Sequence, residues 1–561
     1  MDLVAIAQGV RNALSSSSRS SAEEEEEGEE ASGRNGGPSR LGLVMDVSDA
    51  SFIGGFIPVL LEKHRHPYSR PEFLYFSDDD ITISADKSIR PVICPKFPDR
   101  LPLLAGYAEV INAGKTQQNE DQATARMIHV VQQGYEAEEA RELERSKNGP
   151  VATQNGRRQS DDDPLASPSF SMTSQSSAIG CPRLDAAFFA IFDGHAGTGA
   201  SLMASKCLHE HIKMNTVLFQ SRLSEVLESL IELDRQESFQ FGRNRSQSAY
   251  SITNGSGGPK RERSKITSDA LVIGAMEAAY VDMDEQIAEE KQVFKIPGGC
   301  AVISALVVLG KVYIANAGDC RAILVSADKV KALSRDLTPG TERKRLQEIA
   351  YRQPELIGSC FSRLEYARVL TRKDLKKKVM YRDWFMDGWS VKTVRDSDLR
   401  HPLISDRFKK KRLLNTIGVS RGFGDHHLMT VEEKITIKPF LSPVPEVQVF
   451  DISSLSSVTD RDVVILASDG LWDVISNEDA ALIVRSSFSS SDPNDQSRYS
   501  MAAQELVMAA RGNPTEYHRW MMNCGGLASS DDITVFVIPL KHCLAPPSNE
   551  DEDDDEMINL D

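Results

Sequence analysis

Ala187-Phe188-Phe189-Ala190-Ile191-Phe192-Asp193-Gly194-His195-Ala196-Gly197 is the stretch around which the chain is organised. Six consecutive apolar residues read as a strand covered on both faces. The run delivers Asp193 at its end. Gly194 lets bare backbone approach a neighbour or ligand, and Gly197 permits a tight passage into a following helix. Alone, the stretch is more readily an ordinary strand-to-helix turn, where Asp, Gly and His are all common. A functional reading needs company elsewhere in the chain.

Outward from it, further β-rich runs adjoin carboxylates. GYAEVINAG (Gly106–Gly114) leads to Glu120 and Asp121, Val463–Ser468 ends at Asp469, and Ile533–Leu540 follows Asp531. The runs CAVISALVVLG and KVYIANAGDCRAILV meet at Gly310-Lys311, a hairpin signal. Ser268–Lys291, Gly199–Met214, Thr341–Ala350, Ala480–Ser487 and Ala502–Ala510 have helical periodicity. Buried strands that end in carboxylates put negative charges at one sheet rim, where they repel unless a cation lies among them. Oxygen donors without clustered His or Cys favour hard ions such as Mg²⁺ or Mn²⁺.

The 561 residues are 40% apolar and 26% charged, the composition of a globular chain carrying polar inserts. Net charge is −17, but Glu23–Glu27, Glu29, Glu30 and residues 550–556 supply fourteen negatives, leaving the rest near −3. That near-neutral balance, without basic stripes carrying stacking aromatics, argues against a nuclease or other nucleic-acid partner. The eight cysteines are scattered with no C-x-x-C pair, as expected of reduced thiols. No apolar run is long enough to span a bilayer and no signal peptide is evident, so the expected location is cytoplasmic, with nuclear entry through Lys409–Arg412 as a lesser reading. Residues 1–14 have a weak amphipathic pattern compatible with transient membrane contact, against the plainer reading of a frayed terminus.

The expected organisation is a low-complexity segment over 1–66, a single catalytic domain over 67–542, and an acidic tail over 543–561. Polar insertions about 133–180 and 236–264 interrupt the domain, and an irregular subdomain occupies about 340–412.

The ordered series NEDQ (Asn119–Gln122), FDGHAG (Phe192–Gly197), Gly298-Gly299-Cys300, ANAGDCRA (Ala315–Ala322), SRGFGD (Ser420–Asp425), ASDGLWD (Ala467–Asp473) and SSDDITV (Ser529–Val535) resembles protein phosphatase 2C, the metal-dependent PPM family. LTPGTERKRLQ, YRDWFMDGW and NTIGVSRGFGDHHL are similar to its H/J/M subgroup in particular. The resemblance implies an α+β fold, a four-layer α-β-β-α sandwich of two antiparallel sheets flanked by helices. It implies a two-ion Mg²⁺ or Mn²⁺ centre. Asp193 would bridge both ions, Asp469 and Asp531 would complete the set around the first ion, and Glu120 with the Gly194 carbonyl would serve the second ion. Asp121 matches an outer position reached through water, and Asp319 and Asp473 match positions tied to a weaker third ion. Activated water would attack phosphoserine or phosphothreonine of a protein substrate with no covalent phosphoenzyme, and His195 would protonate the leaving oxygen. Where the family often has an arginine gripping the substrate phosphate, this chain has Thr116 beside Lys115, whose ammonium would serve as a point charge. Asp425 reads equally as a turn-capping rim carboxylate and as a catalytic one. The region 340–412 matches the family's flap, a surface suited to acidic or phosphorylated proteins. The competing expectation from another class is a catalytically silent pseudophosphatase that keeps the fold as a binding scaffold.

Overall fold

The computed structural model describes residues 69–131, 183–216, 267–290, 296–327, 329–406, 410–515 and 519–544. The expected N-terminal segment, both insertions, Lys409 of the basic run and nearly all of the acidic tail lie outside the described residues. The chain forms two compact units, one of Met1–Ile128, Ala186–Asn215 and Ile266–Asp561, the other of His129–Asp185 and Thr216–Lys265. The core and the acidic rim belong to the first.

In chain order the strands of the two large sheets are β1 (Gly106–Val110), β2 (Gln122–Val131), β3 (Arg183–His195), β4 (Gly299–Val308), β5 (Lys311–Ala317), β6 (Arg321–Val325), β7 (Val330–Ala332), β8 (Glu446–Asp451), β9 (Val463–Ala467) and β10 (Ile533–Pro539). The longer helices are α1 (199–216), α2 (Ser268–Glu290), α3 (Arg343–Arg352), α4 (Asn477–Ser490) and α5 (Arg498–Arg511). One sheet has the order β1-β10-β9-β6-β7, the other β8-β5-β4-β3-β2. Pairing is antiparallel, with Tyr107 opposite Phe536, Ile465 opposite Val537, Phe189 opposite Ala305 and Ala305 opposite Ile314.

The period of two along each strand sorts side chains into layers. Tyr107, Phe189, Ile191, Ile303, Ile314, Leu324, Leu466 and Phe536 form one cluster between the sheets. Their sequence neighbours Ala108, Ile323, Ile465, Val535 and Val537 face the other way, onto Ala480 and Val484 of α4 and Leu506 and Val507 of α5. On the second sheet's outer face, the Tyr280 hydroxyl of α2 lies 2.9 Å from Ser304 Oγ and donates to the Ala315 carbonyl at 3.1 Å. The expected α-β-β-α sandwich is therefore the observed one. Ala187–Phe192 is buried on both faces, as its unbroken apolar run implies. The strand continues to His195 rather than ending at Asp193, which carries the motif to the rim while still hydrogen-bonded to β4.

The 340–412 region has local order that its sequence pattern does not announce. Lys378–Arg382 pairs with Ser390–Thr393 and Glu365–Tyr366, and Ile404–Ser405 pairs with Arg412–Leu413. Ion pairs knit it together, including Arg363–Asp383 at 2.8 Å, Arg368–Asp374 at 2.6 Å and Lys392–Asp398 at 2.7 Å. Among the described residues no helix is long and apolar enough to cross a membrane.

Candidate active site

Three connections deliver carboxylates to one point on the rim. Asp193 comes from β3, opposite Ala301. Asp319 stands in the β5–β6 turn, where the chain passes from one sheet to the other, and Asp469 opens the single helical turn that follows β9. One carboxylate oxygen of each lies within 4.8 Å of the others. The Asp469 N–H reaches Asp193 Oδ2 at 3.4 Å.

Such crowding strains ionisation. Burial, then the charges of Asp469, Asp121, Asp319 and Asp531, hold the Asp193 carboxyl well above the usual range. Asp319 is pushed up to about 7 by burial and Asp469, against an opposing pull from Lys410. Burial and Asp469 also raise Asp473. Like charges this close ionise together only when a cation offsets them. An all-oxygen donor set of this kind fits a hard divalent ion.

Glu120 and Asp121 precede β2 and are tied to the β3 motif through backbone. The Gly197 N–H donates to Glu120 Oε1 at 2.6 Å, and Ser201 Oγ donates to the Glu120 carbonyl at 2.8 Å. A Cβ on Gly194 would lie 2.3 Å from that carbonyl oxygen, so the two segments pass closer than a side chain allows. Asp121 is buried and accepts from Thr534 Oγ1 at 2.8 Å; burial, then Asp532, pushes it well up. Asp531 forms an ion pair with Lys115; burial would lower its ammonium, but Asp531, Asp469 and Asp193 together outweigh that and raise it.

His195 closes the site on another side. Its Nε2 is 2.7 Å from Asp425 Oδ2. Burial alone would lower the imidazole, but the Asp425 hydrogen bond and charge, with Asp319 and Glu120, more than reverse this and raise it. Asp425 holds a left-handed backbone with φ of 55°. Its N–H donates to the Gly298 carbonyl at 3.0 Å, and a Cβ on Gly299 would fall 2.4 Å from its Oδ2. Asp425 is thus a built partner of His195. Cys300 and Cys320 are fully buried, and burial pushes both thiols far up, which disqualifies them as nucleophiles.

Three residues escaped the sequence reading. Asp532, beside Asp531, is buried and accepts from the N–H groups of Asn112 at 2.7 Å and Glu120 at 3.0 Å. Arg90, fully buried, donates to the carbonyls of Ile111, Ser529 and Asp531 at 2.7, 2.8 and 2.9 Å, pinning the loop that carries Asp531. Lys410 places its Nζ 2.6 Å from Asp469 Oδ2 and 2.9 Å from Asp473 Oδ2. Only strand parity carried a signal: adjacent residues before β10 face opposite ways, so of Asp531 and Asp532 one had to turn inward.

The structure thus gathers Asp193, Asp319 and Asp469 directly, and Asp473 through Lys410. Glu120, Asp121 and Asp531 with Lys115 sit on the adjoining segments. A cavity of about 300 Å³ opens beside them, lined by Asp319, Asp469, Asp473, Lys410, Lys411 and Thr341 among others. A separate cavity of about 340 Å³ lies between residues 70–75 and β2, where Glu72 already pairs with Arg126 and Lys206.

Comparison with known proteins bears on what this rim belongs to. Protein phosphatase 1H of Homo sapiens is 41% identical over 494 residues, covering 85% of this chain and 92% of its own. Protein phosphatase 1J of Mus musculus is 39% identical over 476 residues, covering 84% and 86%. Among solved structures, serine-threonine phosphatase 2C from Toxoplasma gondii aligns with 63% of this chain and 88% of that one, at 19% identity and a TM-score of 0.32. The family model for protein phosphatase 2C matches residues 151–395 and 400–516, spans that contain Asp193, His195, Asp319, Asp425, Asp469 and Asp473. With that match over most of the chain and relatives at this identity, the chain belongs to the protein phosphatase 2C family.

Proposed function

We propose that the chain is a metal-dependent protein serine/threonine phosphatase that hydrolyses phosphoserine and phosphothreonine in protein substrates. The observation that carries this reading is the convergence of Asp193, Asp319 and Asp469 oxygens within 4.8 Å at a rim shared by both sheets. Asp193, Asp469 and Asp531, with Glu120 and the Gly194 carbonyl, would hold two Mg²⁺ or Mn²⁺ ions; Asp121 would support them through water, and Asp319 with Asp473 would hold a weaker third. When bound, the ions supply positive charge that offsets the phosphoryl oxygens and makes a water acidic enough to attack phosphorus near neutral pH.

The protein's own groups do the rest. A protonated imidazole carries a proton on each nitrogen. With the Nε2 of His195 committed to Asp425, Nδ1 is left to deliver a proton to the departing serine or threonine oxygen. Lys115, beside Asp531, offers a positive charge near the incoming phosphate. The retained carboxylates and the intact His195–Asp425 pair favour an enzyme over a silent scaffold.

The test is hydrolysis of a phosphothreonine peptide by the purified full chain in Mn²⁺ and in EDTA. Mn²⁺-dependent phosphate release is expected. Its absence in folded protein would leave only the scaffold reading.

A further inference from the structure

Lys410 occupies the rim in a way that the proposed chemistry does not use. Its Nζ is 2.6 Å from Asp469 Oδ2, 2.9 Å from Asp473 Oδ2 and 3.8 Å from Asp319 Oδ2. An ammonium has three donors and no acceptor, so it meets these carboxylates as a small cation does. This differs from an ordinary surface ion pair, which solvent screens to little effect. Here one cation faces three carboxylates at once.

The position of Lys410 is set by its surroundings. It precedes Arg412, which pairs with Ser405, and its neighbour Lys411 pairs with Glu365 at 3.3 Å and Asp406 at 3.4 Å. The chain on its C-terminal side is thereby anchored. The four-carbon stem of Lys410 is free to swing, and the side chain is 44% exposed, so its way out leads to solvent.

We propose that Lys410 is a built-in competitor for the divalent ion at the Asp319–Asp469–Asp473 corner, neutralising it when no ion is there and withdrawing for one to bind. The inference rests on the reading above that ions bind at this rim. An ion drawing on these same oxygens competes with the ammonium hydrogens for their lone pairs, and the two positive charges repel, so each weakens the hold of the other. Occupancy of this corner is therefore weakened by the cost of displacing Lys410, and the region that carries Lys410 is coupled to the ion content of the rim.

The test uses EDTA-stripped full-length protein, titrated with Mn²⁺ by calorimetry and by the electron-spin signal of free Mn²⁺, as wild type, Lys410→Met and Lys410→Arg. The Met variant keeps the stem and removes the charge. Its weakest class of Mn²⁺ binding is expected to tighten about tenfold, while Arg stays near wild type. In EDTA the Met variant is expected to melt below wild type, and Mn²⁺ to raise its melting temperature by more. Wild-type constants for every class of site in Lys410→Met, or an unchanged melting temperature in EDTA, would overturn the competitor role. Failure of wild type itself to bind Mn²⁺ sinks the phosphatase reading and this inference together, whereas wild-type binding with an unmoved weak class sinks this inference alone.

Discussion

Replacing Asp425 with Asn separates the charge of the His195 partner from its shape. In the native protein Asp425 Oδ2 is 2.7 Å from His195 Nε2, and Asp425 is buried. A hydrogen bond to a charged group contributes about 1.5–3 kcal/mol, against about 0.5–1.5 kcal/mol for a neutral one. Asn is isosteric and still accepts from Nε2, so the loss is the difference, about 1.5 kcal/mol, or roughly tenfold in a rate that depends on the imidazolium. Asp425→Ala removes the whole interaction and is expected to cost about a hundredfold. The sign of the pH effect also follows. Asp425 raises the His195 imidazole; without the charge the ring gives up its proton at lower pH, and the alkaline limb of kcat moves down the pH scale. The assay is phosphopeptide turnover across pH 5.5–9 at saturating Mn²⁺, repeated in a His195→Ala background. If Asp425 acts through His195, Asp425→Asn adds nothing there. An unshifted alkaline limb, or full additivity of the two substitutions, would refute the pairing as a catalytic device and reduce it to packing.

Other outcomes follow from the same geometry. Gly194→Ala forces a Cβ to within 2.3 Å of the Glu120 carbonyl; overpacking costs about 1–3 kcal/mol, so melting is expected to fall by several degrees and turnover to drop with it, and a wild-type melting curve sinks the close-approach argument. In EDTA, melting temperature is expected to fall as pH rises from 5 to 7.5. Asp319 and Asp532 are pushed from 3.8 to about 7, so the fold holds protons that the unfolded chain has released, and their contribution is present at low pH and lost through 7. The raised His195 adds the same sign, while carboxylates held low, such as Glu342 at about 2, have finished titrating below this window. Saturating Mn²⁺ is expected to flatten the slope; a flat or rising curve in EDTA contradicts the crowding of the rim.

Much of this was legible in the sequence, and the remainder was hidden for physical reasons. β3, β4, β5, β9 and β10 are dense apolar runs whose period is visible along one chain, and the motifs at their ends fall where strands deliver residues to a rim. Asp193, Asp319 and Asp469 converge because each sits at the end of such a run. The pairing of His195 with Asp425, 230 positions away, depends on the short Phe423–Gly424 pairing with β4 that no local pattern reveals. Lys410 lies in the basic run Lys409–Arg412, which the sequence offers only as a nuclear-entry signal or part of a docking surface, yet its ammonium meets Asp469, 59 positions on. The region around it is held by ion pairs and two- to five-residue strands, too short for periodicity to register. Asp532 was obscured by Asp531, since two adjacent carboxylates look alike until parity assigns one to the rim and the other to buried N–H groups.

Asp193 joins these observations, because it alone contributes to the carboxylate cluster from the strand that also carries His195. The most direct measurement is Asp193→Asn in the full-length chain, with Mn²⁺ binding and phosphopeptide turnover recorded on the same samples. The change is isosteric and removes one of several mutually repelling carboxyls, so melting in EDTA is expected to match or exceed wild type. Turnover is expected to fall by at least about a hundredfold and Mn²⁺ binding to weaken. A folded Asp193→Asn protein that binds Mn²⁺ as wild type does and turns over within a few-fold of it would contradict the assignment of this rim as the metal-dependent active site.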